Sequence, residues 1–480
     1  MIENIPKEII DIYKKFENSN FEVYFVGGCV RNLFLQKEVK DWDLTTNATP
    51  EEILKLFPNG FYDNKFGTVG IQTEIDKKKH IVEITTFRTE HGHTDKRRPD
   101  KVEWGRSIEE DLARRDFTVN AIALKIEPSP SVIASKAKQS QIDGIAASRS
   151  APRNDNKSII IDPFGGQKDI KDKIIRAVGD PKQRFKEDAL RLIRAIRIAT
   201  EHGFTIDTKT WEEIVSDAHL IEEVSGERVR TELLRILGSA HPYDGTMLLK
   251  NSGLLQFILP ELLEGIGVSQ VRPGRHHTSD VFTHNVLSLK FCPSTYPIVR
   301  FATLLHDVGK PKVEKRDENG LVIFHNHEIV GSRIARTICD RLHFSKKDRD
   351  KIVNLIRWHM FTVDEKITDA AVRRFIRRVG AESVKDMMDL RIGDRLGGGT
   401  QTAESWRLKL FKKRIEDQLK PAPFSINDLT IDGTDIMKEL NIKPGPKIGE
   451  ILQKLFLEVD EDLSKNNKEY LLKRVREIKL

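Results

Sequence analysis

Residues 26–46 read VGGCVRNLFLQKEVKDWDLTT. A glycine pair, Gly27 and Gly28, precedes Arg31, and two aspartates, Asp41 and Asp43, flank Trp42. The preceding FEVYFV reads as a strand running into the glycine turn, with a helix starting near Arg31 and DWDLTT forming a second strand. Successive side chains on a strand point to opposite faces, so Asp41 and Asp43 share one face and Trp42 takes the other. At ~3.3 Å per residue their Cα atoms stand about 6.6 Å apart. Carboxylates so placed converge on divalent ions ~3.5–4 Å apart, the geometry that clamps phosphoryl transfer. The glycines let backbone amides approach a triphosphate, the helix start favours an anion, and Arg31 adds charge. The stretch therefore predicts a phosphate cradle beside a metal-binding strand. GxGxxG is absent and no GKS or GKT follows, which excludes a dinucleotide fingerprint and a P-loop.

Working outward, residues 5–17 carry a helical period, and TPEEILKLF is a helix opened by a Thr49 cap and Pro50. FGTVGIQTE and HIVEITTFR are further strands, and Glu83 in the latter is a candidate third active-site carboxylate. This is an α/β head. From Glu127 to Lys157 the chain lacks any aromatic and is rich in Ser, Ala, Lys and Gln, so it reads as a disordered insertion of about 127–157. IIIDPFGG resumes as a strand and turn. Beyond about residue 168 the pattern is helical, apart from a hairpin in KVEKRDENGLVIF turning at Asn319-Gly320. The expected division is a head at 1–167, a helical neck and body at 168–271, a third domain at 272–400 and a helical tail at 401–480.

The ordered set VGGCVRN, DWDLTT, FGTVGI, TTFRTE, DKRRPDKVEW, EEDLARRDFTVNAIA, IIDPFGG and EDALRLIRAIR resembles the class II tRNA nucleotidyltransferase and bacterial poly(A) polymerase family. The match spans residues 21–200, the insertion excepted. The resemblance implies an α+β chain: a polymerase-β-like nucleotidyltransferase head, then all-α neck, body and tail. It implies nucleotide addition to an RNA 3′ end with release of pyrophosphate. Gly28 and Arg31 would then contact the triphosphate, Asp41 and Asp43 would bind Mg2+, and Arg115 and Asp116 would hold phosphate and ribose. His93 stands where the family has an aromatic after RTE, a small departure.

EDALRLIRAIR can also be read directly. Asp188 and Arg191 lie three apart on an expected helix, placed to brace each other. An aspartate accepts from an exocyclic amine and an arginine donates to a ring nitrogen. C and A present an amine beside an acceptor nitrogen, whereas U and G present a carbonyl beside an N–H, so the pair selects CTP and ATP. The resemblance assigns these residues that protein-template role. Arg194 and Arg197 continue the face toward phosphates; alternatively, the helix is simply amphipathic with a basic stripe.

A second set runs through HHTSDVFTHNV, ATLLHDVGK, FHNHEIVG, RWHM and LRIGDRLG. His284, His306, Asp307 and Asp394 follow the H…HD…D order of an HD metal domain. His325, His327 and His359 stand where a second ion is held in some HD proteins. Mixed imidazole and carboxylate ligands suit Mn2+, Ni2+, Fe2+ or Mg2+ rather than a structural zinc. Such a site could add a phosphohydrolase side activity.

The 480 residues exceed one core, and the net charge of +7 with clusters such as DKRRPDK fits a polyanionic partner, which the resemblance implies is RNA and not DNA. Cys29, Cys292 and Cys339 are too scattered for a disulfide scaffold or zinc ribbon. With no signal pattern and no apolar run near ~18 residues, the expectation is a cytoplasmic protein without a membrane span. In the tail, amides near Gly445 and Gly449 with Lys443 and Lys447 could take an RNA phosphate. The tail also resembles that of bacterial tRNA nucleotidyltransferases, which favours tRNA as acceptor. The leading expectation is CCA addition to tRNA 3′ ends from CTP and ATP. Its rivals are a poly(A) polymerase, an enzyme adding only CC or A, an HD phosphohydrolase with a degenerate head, a signalling nucleotidyltransferase and a non-catalytic RNA-binding protein.

Overall fold

Strand β1 (Val23–Val26) is buried along its whole length, as its unbroken VYFV demands, and it is flanked by two antiparallel neighbours. These are β2 (Trp42–Thr46) and, further along the chain, β8 (Ala123–Ile126). The computed structural model describes residues 2–62, 68–91, 101–104, 107–127, 158–270, 279–419 and 425–478. His93, the DKRRP loop and nearly all of the expected insertion lie outside them.

Between β2 and β8 come β3 (Phe61–Tyr62), β4 (Thr68–Ile75) and β5 (Lys78–Thr86), then the hairpin of β6 (Arg88–His91) and β7 (Lys101–Trp104). With β9 (Ser158–Ile161) they form a seven-stranded sheet ordered β3-β4-β5-β2-β1-β8-β9, the β6–β7 hairpin standing apart. β2 and β5 run parallel, which sets Asp43 beside Glu83. The helix Lys7–Asn18 buries Ile9, Ile12, Tyr13 and Phe16. Tyr13 stacks on Phe25 with ring centroids 5.1 Å apart, and its hydroxyl accepts from the Ile126 amide at 3.0 Å. Phe25 in turn meets Trp42 edge-on at 5.8 Å, anchoring the apolar side of β2. The helix Pro50–Leu56 starts as its sequence predicts, with a reciprocal capping box between Thr49 and Glu52.

The chain divides into two compact units. The first comprises residues 1–236 and 244–258, the second 237–243 and 259–480. In the first, the helices Pro181–Glu187 and Leu190–His202 follow the sheet, as does the helix Gly226–Gly238 up to residue 236. Gly166 is required where it stands, because a Cβ there would lie 2.1 Å from the Thr118 carbonyl oxygen.

The second unit is helical, with the expected hairpin pairing Lys315–Arg316 with Val322–Ile323 and Gly320 at φ +76°. Its tail helices Gly433–Leu440, Pro446–Glu461 and Lys468–Glu477 share a core of Ile436, Ile451, Leu455, Val459 and Leu471. Asp460, fully buried, accepts from Arg373 Nε at 2.9 Å and Arg377 Nη2 at 2.5 Å. Among the described residues, no helix is long and apolar enough to cross a membrane.

Candidate active site

β1 ends at Gly27, whose φ of +75° and ψ of −135° turn the chain sharply into the seven-residue helix Gly28–Phe34. A Cβ on Gly27 would lie 2.9 Å from Arg115 Nη1 and 3.5 Å from Asp43 Oδ2, so the turn, the arginine and the carboxylate meet at one place. Asp41 is exposed at the entry to β2, Asp43 is half-buried and Glu83 is exposed beside it on β5. Burial pushes Asp43 up to about 7, with Glu83 and Asp41 adding to the rise against the opposing charge of Arg115. A carboxylate pushed up by burial and by two neighbouring carboxylates is one whose charged form a divalent cation would stabilise. Arg115 is held by Asp111 at 3.0 Å.

A polar chain links this cradle to the helix Leu190–His202. Arg31, nearly fully buried, donates from Nη1 to Asn120 Oδ1 at 2.6 Å. Asn120 donates to Asp116 Oδ1 at 3.0 Å, and Asp116 Oδ2 accepts from Arg194 Nη2 at 2.6 Å. Burial would raise Asp116, but the Arg194 guanidinium and Asn120 hold it well below the usual carboxylate range.

The segment carrying Asp188 and Arg191 differs from expectation. Asp188 is not on one continuous helix with Arg191: it sits at a break, with φ −148° and ψ 103°, between Pro181–Glu187 and Leu190–His202. The expected mutual brace is absent from the bonds these side chains make. Asp188 Oδ1 accepts from the Leu190 amide at 3.1 Å, and Oδ2 from Arg228 Nη2 at 2.8 Å. Arg191 donates instead to Glu187 at 2.8 Å and to the carbonyls of Arg184 and Arg114. The break lets the Asp188 carboxylate cap the second helix, a local bond that competes with continuing the first. Arg197 does not project outward with Arg194; it is buried against Glu232 at 2.5 Å and Glu201 at 2.9 Å.

In the second unit, five helices and their ends bring His284, His306, Asp307, His327, His359 and Asp394 together. His284 Nε2 lies 3.2 Å from His306 Nε2, 3.3 Å from Asp307 Oδ2 and 3.3 Å from Asp394 Oδ1. On the other side of the same carboxylate, Asp307 Oδ1 lies 3.2 Å from His327 Nε2 and 3.6 Å from His359 Nε2. Two groups of possible ligands therefore share Asp307. The Nδ1 atoms of His306, His327 and His359 each meet a backbone carbonyl at 2.7–2.8 Å, an arrangement that leaves Nε2 as the lone-pair nitrogen. Burial works against charging His284, yet hydrogen bonds to Asp307 and Asp394 carry it up to about 9. His325 is exposed and outside the cluster: it lies two residues before His327, in the turn ahead of the helix His327–Arg341.

A model described as "Poly A polymerase head domain" matches residues 23–137. One described as "Probable RNA and SrmB- binding site of polymerase A" matches 203–265, and one for tRNA nucleotidyltransferase domain 2 matches 316–475. The CCA-adding enzyme of Limosilactobacillus reuteri is 31% identical over 474 residues, covering 97% of this chain and 95% of its own. The chain belongs to the CCA-adding enzyme family. The CCA-adding enzyme of Ligilactobacillus salivarius is 29% identical over 496 residues, covering 100% and 98% of the two chains. The fold agrees with that of the Bacillus stearothermophilus CCA-adding enzyme solved with CTP, at a TM-score of 0.67, 24% identity and coverage of 98% and 96%. The head is thus polymerase-β-like.

Nucleotidyltransferases of the CCA-adding class work with a divalent ion, and the carboxylates at the glycine turn have the chemistry to hold one. Sequence reading missed the residues that orient this family's motifs here: Asp111, Asn120, Glu187, Arg228 and Glu232. Asp111, three and four residues before Arg114 and Arg115, Glu187, four before Arg191, and Asn120, four after Asp116, had a local signal in their spacing; Arg228 and Glu232 had none.

Proposed function

We propose that the protein completes tRNA 3′ ends, adding C, C and A from CTP and ATP with release of pyrophosphate. The meeting of Asp43, Gly27 and Arg115 at the start of β2, with Glu83 alongside, is the observation that carries the reaction chemistry. Asp41 and Asp43 would hold Mg2+, with Glu83 as a third carboxylate. When bound, the ions would polarise the triphosphate and lower the pKa of the attacking 3′ hydroxyl. The tRNA 3′ hydroxyl loses its proton to solvent as its oxygen attacks the α-phosphorus, the bond from that phosphorus to the α–β bridging oxygen breaks, and pyrophosphate leaves past Arg31 and Arg115. Gly28 lets the chain approach the triphosphate, and Asp116 with Arg194 holds the ribose and phosphate end of the nucleotide. Asp188 and Arg191 read the base edge, and Arg197 fixes the helix beneath them. Gly445, Gly449, Lys443 and Lys447, all exposed at the start of a tail helix, take a tRNA phosphate. We assign the head to 1–167, neck to 168–271, an HD domain to 272–400 and tail to 401–480, in a cytoplasmic protein.

The deciding assay offers purified protein tRNAs ending before CCA, at its first C and at CC, and a generic RNA, with each nucleoside triphosphate alone. Ordered C, C and A addition confined to tRNA is the expected result. ATP-only extension of every RNA would identify a poly(A) polymerase instead.

A second reading rests on the Nε2 atoms gathered around Asp307. His284, His306, Asp307 and Asp394 form an HD metal site for Mn2+, Ni2+ or Fe2+, with His327 and His359 on the other carboxylate oxygen. It would hydrolyse phosphoesters independently of the head. Metal analysis of the purified protein and the opening of a 2′,3′-cyclic nucleotide by water to the nucleoside monophosphate test it.

A further inference from the structure

We infer that Arg228 is a positioning residue for nucleotide choice, fixing the plane of the Asp188 carboxylate; this rests on the proposal that Asp188 reads the incoming base. The Asp188 carboxylate has two anchors, one on each oxygen: the Leu190 amide on Oδ1 at 3.1 Å and Arg228 Nη2 on Oδ2 at 2.8 Å. An ionised carboxylate oxygen accepts two hydrogen bonds, so each oxygen keeps capacity for a base amine while its direction is set. The carboxylate torsion of an aspartate is intrinsically broad. With Arg228 gone, the group is held at one oxygen and swings, and an acceptor without a fixed direction no longer separates an amine from a carbonyl.

Arg228 is separable from the packing of its own helix. Gly226–Gly238 docks through Val229, Leu233 and Ile236, all buried, and through the Glu232–Arg197 ion pair. Arg228 itself is part-exposed, with a side chain 24% accessible against 21% for Asp188, so both members of the pair are open to solvent. Arg191 is oriented separately, by Glu187 and two carbonyls. Loss of Arg228 therefore disturbs the amine-reading half of the template and spares the other.

The test is single-turnover incorporation of each of the four nucleotides by wild type, R228A and R228K on tRNA ending at its first C and at CC. Circular dichroism and thermal melting accompany it. R228A is expected to reduce the preference for CTP over UTP and for ATP over GTP by about tenfold, the loss of one good base-edge contact. R228K keeps one charged donor and should recover part of the preference. A uniform slowing of all four nucleotides with the ranking unchanged would overturn the inference. If R228A fails to fold, R228K decides: a wild-type ranking with all rates depressed equally is the refuting result there too. A wild-type protein that itself shows no preference for C and A refutes the proposed function, and does so before any variant is measured.

Discussion

Replacing Gly27 with alanine is the sharpest perturbation of the nucleotide cradle. At φ +75° and ψ −135° the residue occupies a region open essentially to glycine alone, so alanine costs of order 1–3 kcal/mol in backbone strain. The new Cβ would also stand 2.9 Å from Arg115 Nη1, closer than real Cβ contacts allow. The guanidinium is the flexible partner and yields, which moves it from Asp43 and loosens its hold on Asp111. A charge-assisted hydrogen bond contributes about 1.5–3 kcal/mol, so nucleotide addition should fall roughly tenfold to a hundredfold in addition to the loss of stability. For a unit of this size, each kcal/mol lowers the melting temperature by about 2–4 °C. Calorimetry and single-turnover CTP incorporation are the assays. Wild-type melting and rate in Gly27→Ala would refute both the turn conformation and the placing of Arg115 against it.

Asp43→Asn should cut addition roughly a hundredfold or more while tRNA binding by filter retention stays near normal, since the change removes a charge from the metal clamp and not from the RNA surface. Asp307→Ala should strip retained Mn2+ or Ni2+ from the second unit, by elemental analysis after dialysis, with CTP incorporation unchanged. Loss of both activities in a folded variant would count against separate sites. Arg373→Ala leaves the buried Asp460 with Arg377 as its main counter-charge, and breaking a buried pair costs about 3–5 kcal/mol. Urea denaturation followed at the tail helices should show a loss toward the lower end of that range. Arg377→Ala, at a more exposed position, should cost less.

What was legible in the sequence was local. DWDLTT was legible as a strand from Trp42 onward, with Asp41 just ahead of it, and Thr49-Pro50 announced a helix start through rules that act within four residues. Gly27 was legible as a turn for the same reason. Asp188 was misplaced because EDALRLIRAIR contains no glycine or proline to mark a break, and its only clue is that aspartate favours helix starts. The long-range partners of Asp188 and Asp116 were out of reach: Arg228 is 40 positions from Asp188, and Arg194 is 78 from Asp116. Pattern reading gives the face a charge occupies but not which opposite charge folding brings to it. His325 failed similarly, since its neighbour His327 begins a helix and it does not.

The β8–β9 ladder closes with Ile126 opposite Ser158, although these residues are far apart in the chain. Whatever intervenes leaves and re-enters at the two posts of one antiparallel hairpin, at the margin of the sheet. For a flexible connection between two such posts, closure costs only about 0.6 kcal/mol more for each doubling of length. Length is therefore nearly neutral at this point, and β8 and β1 stand between it and the carboxylates of β2. A lineage can gain or shed codons here at little thermodynamic penalty, and a protein engineer can splice in a reporter domain at the same address.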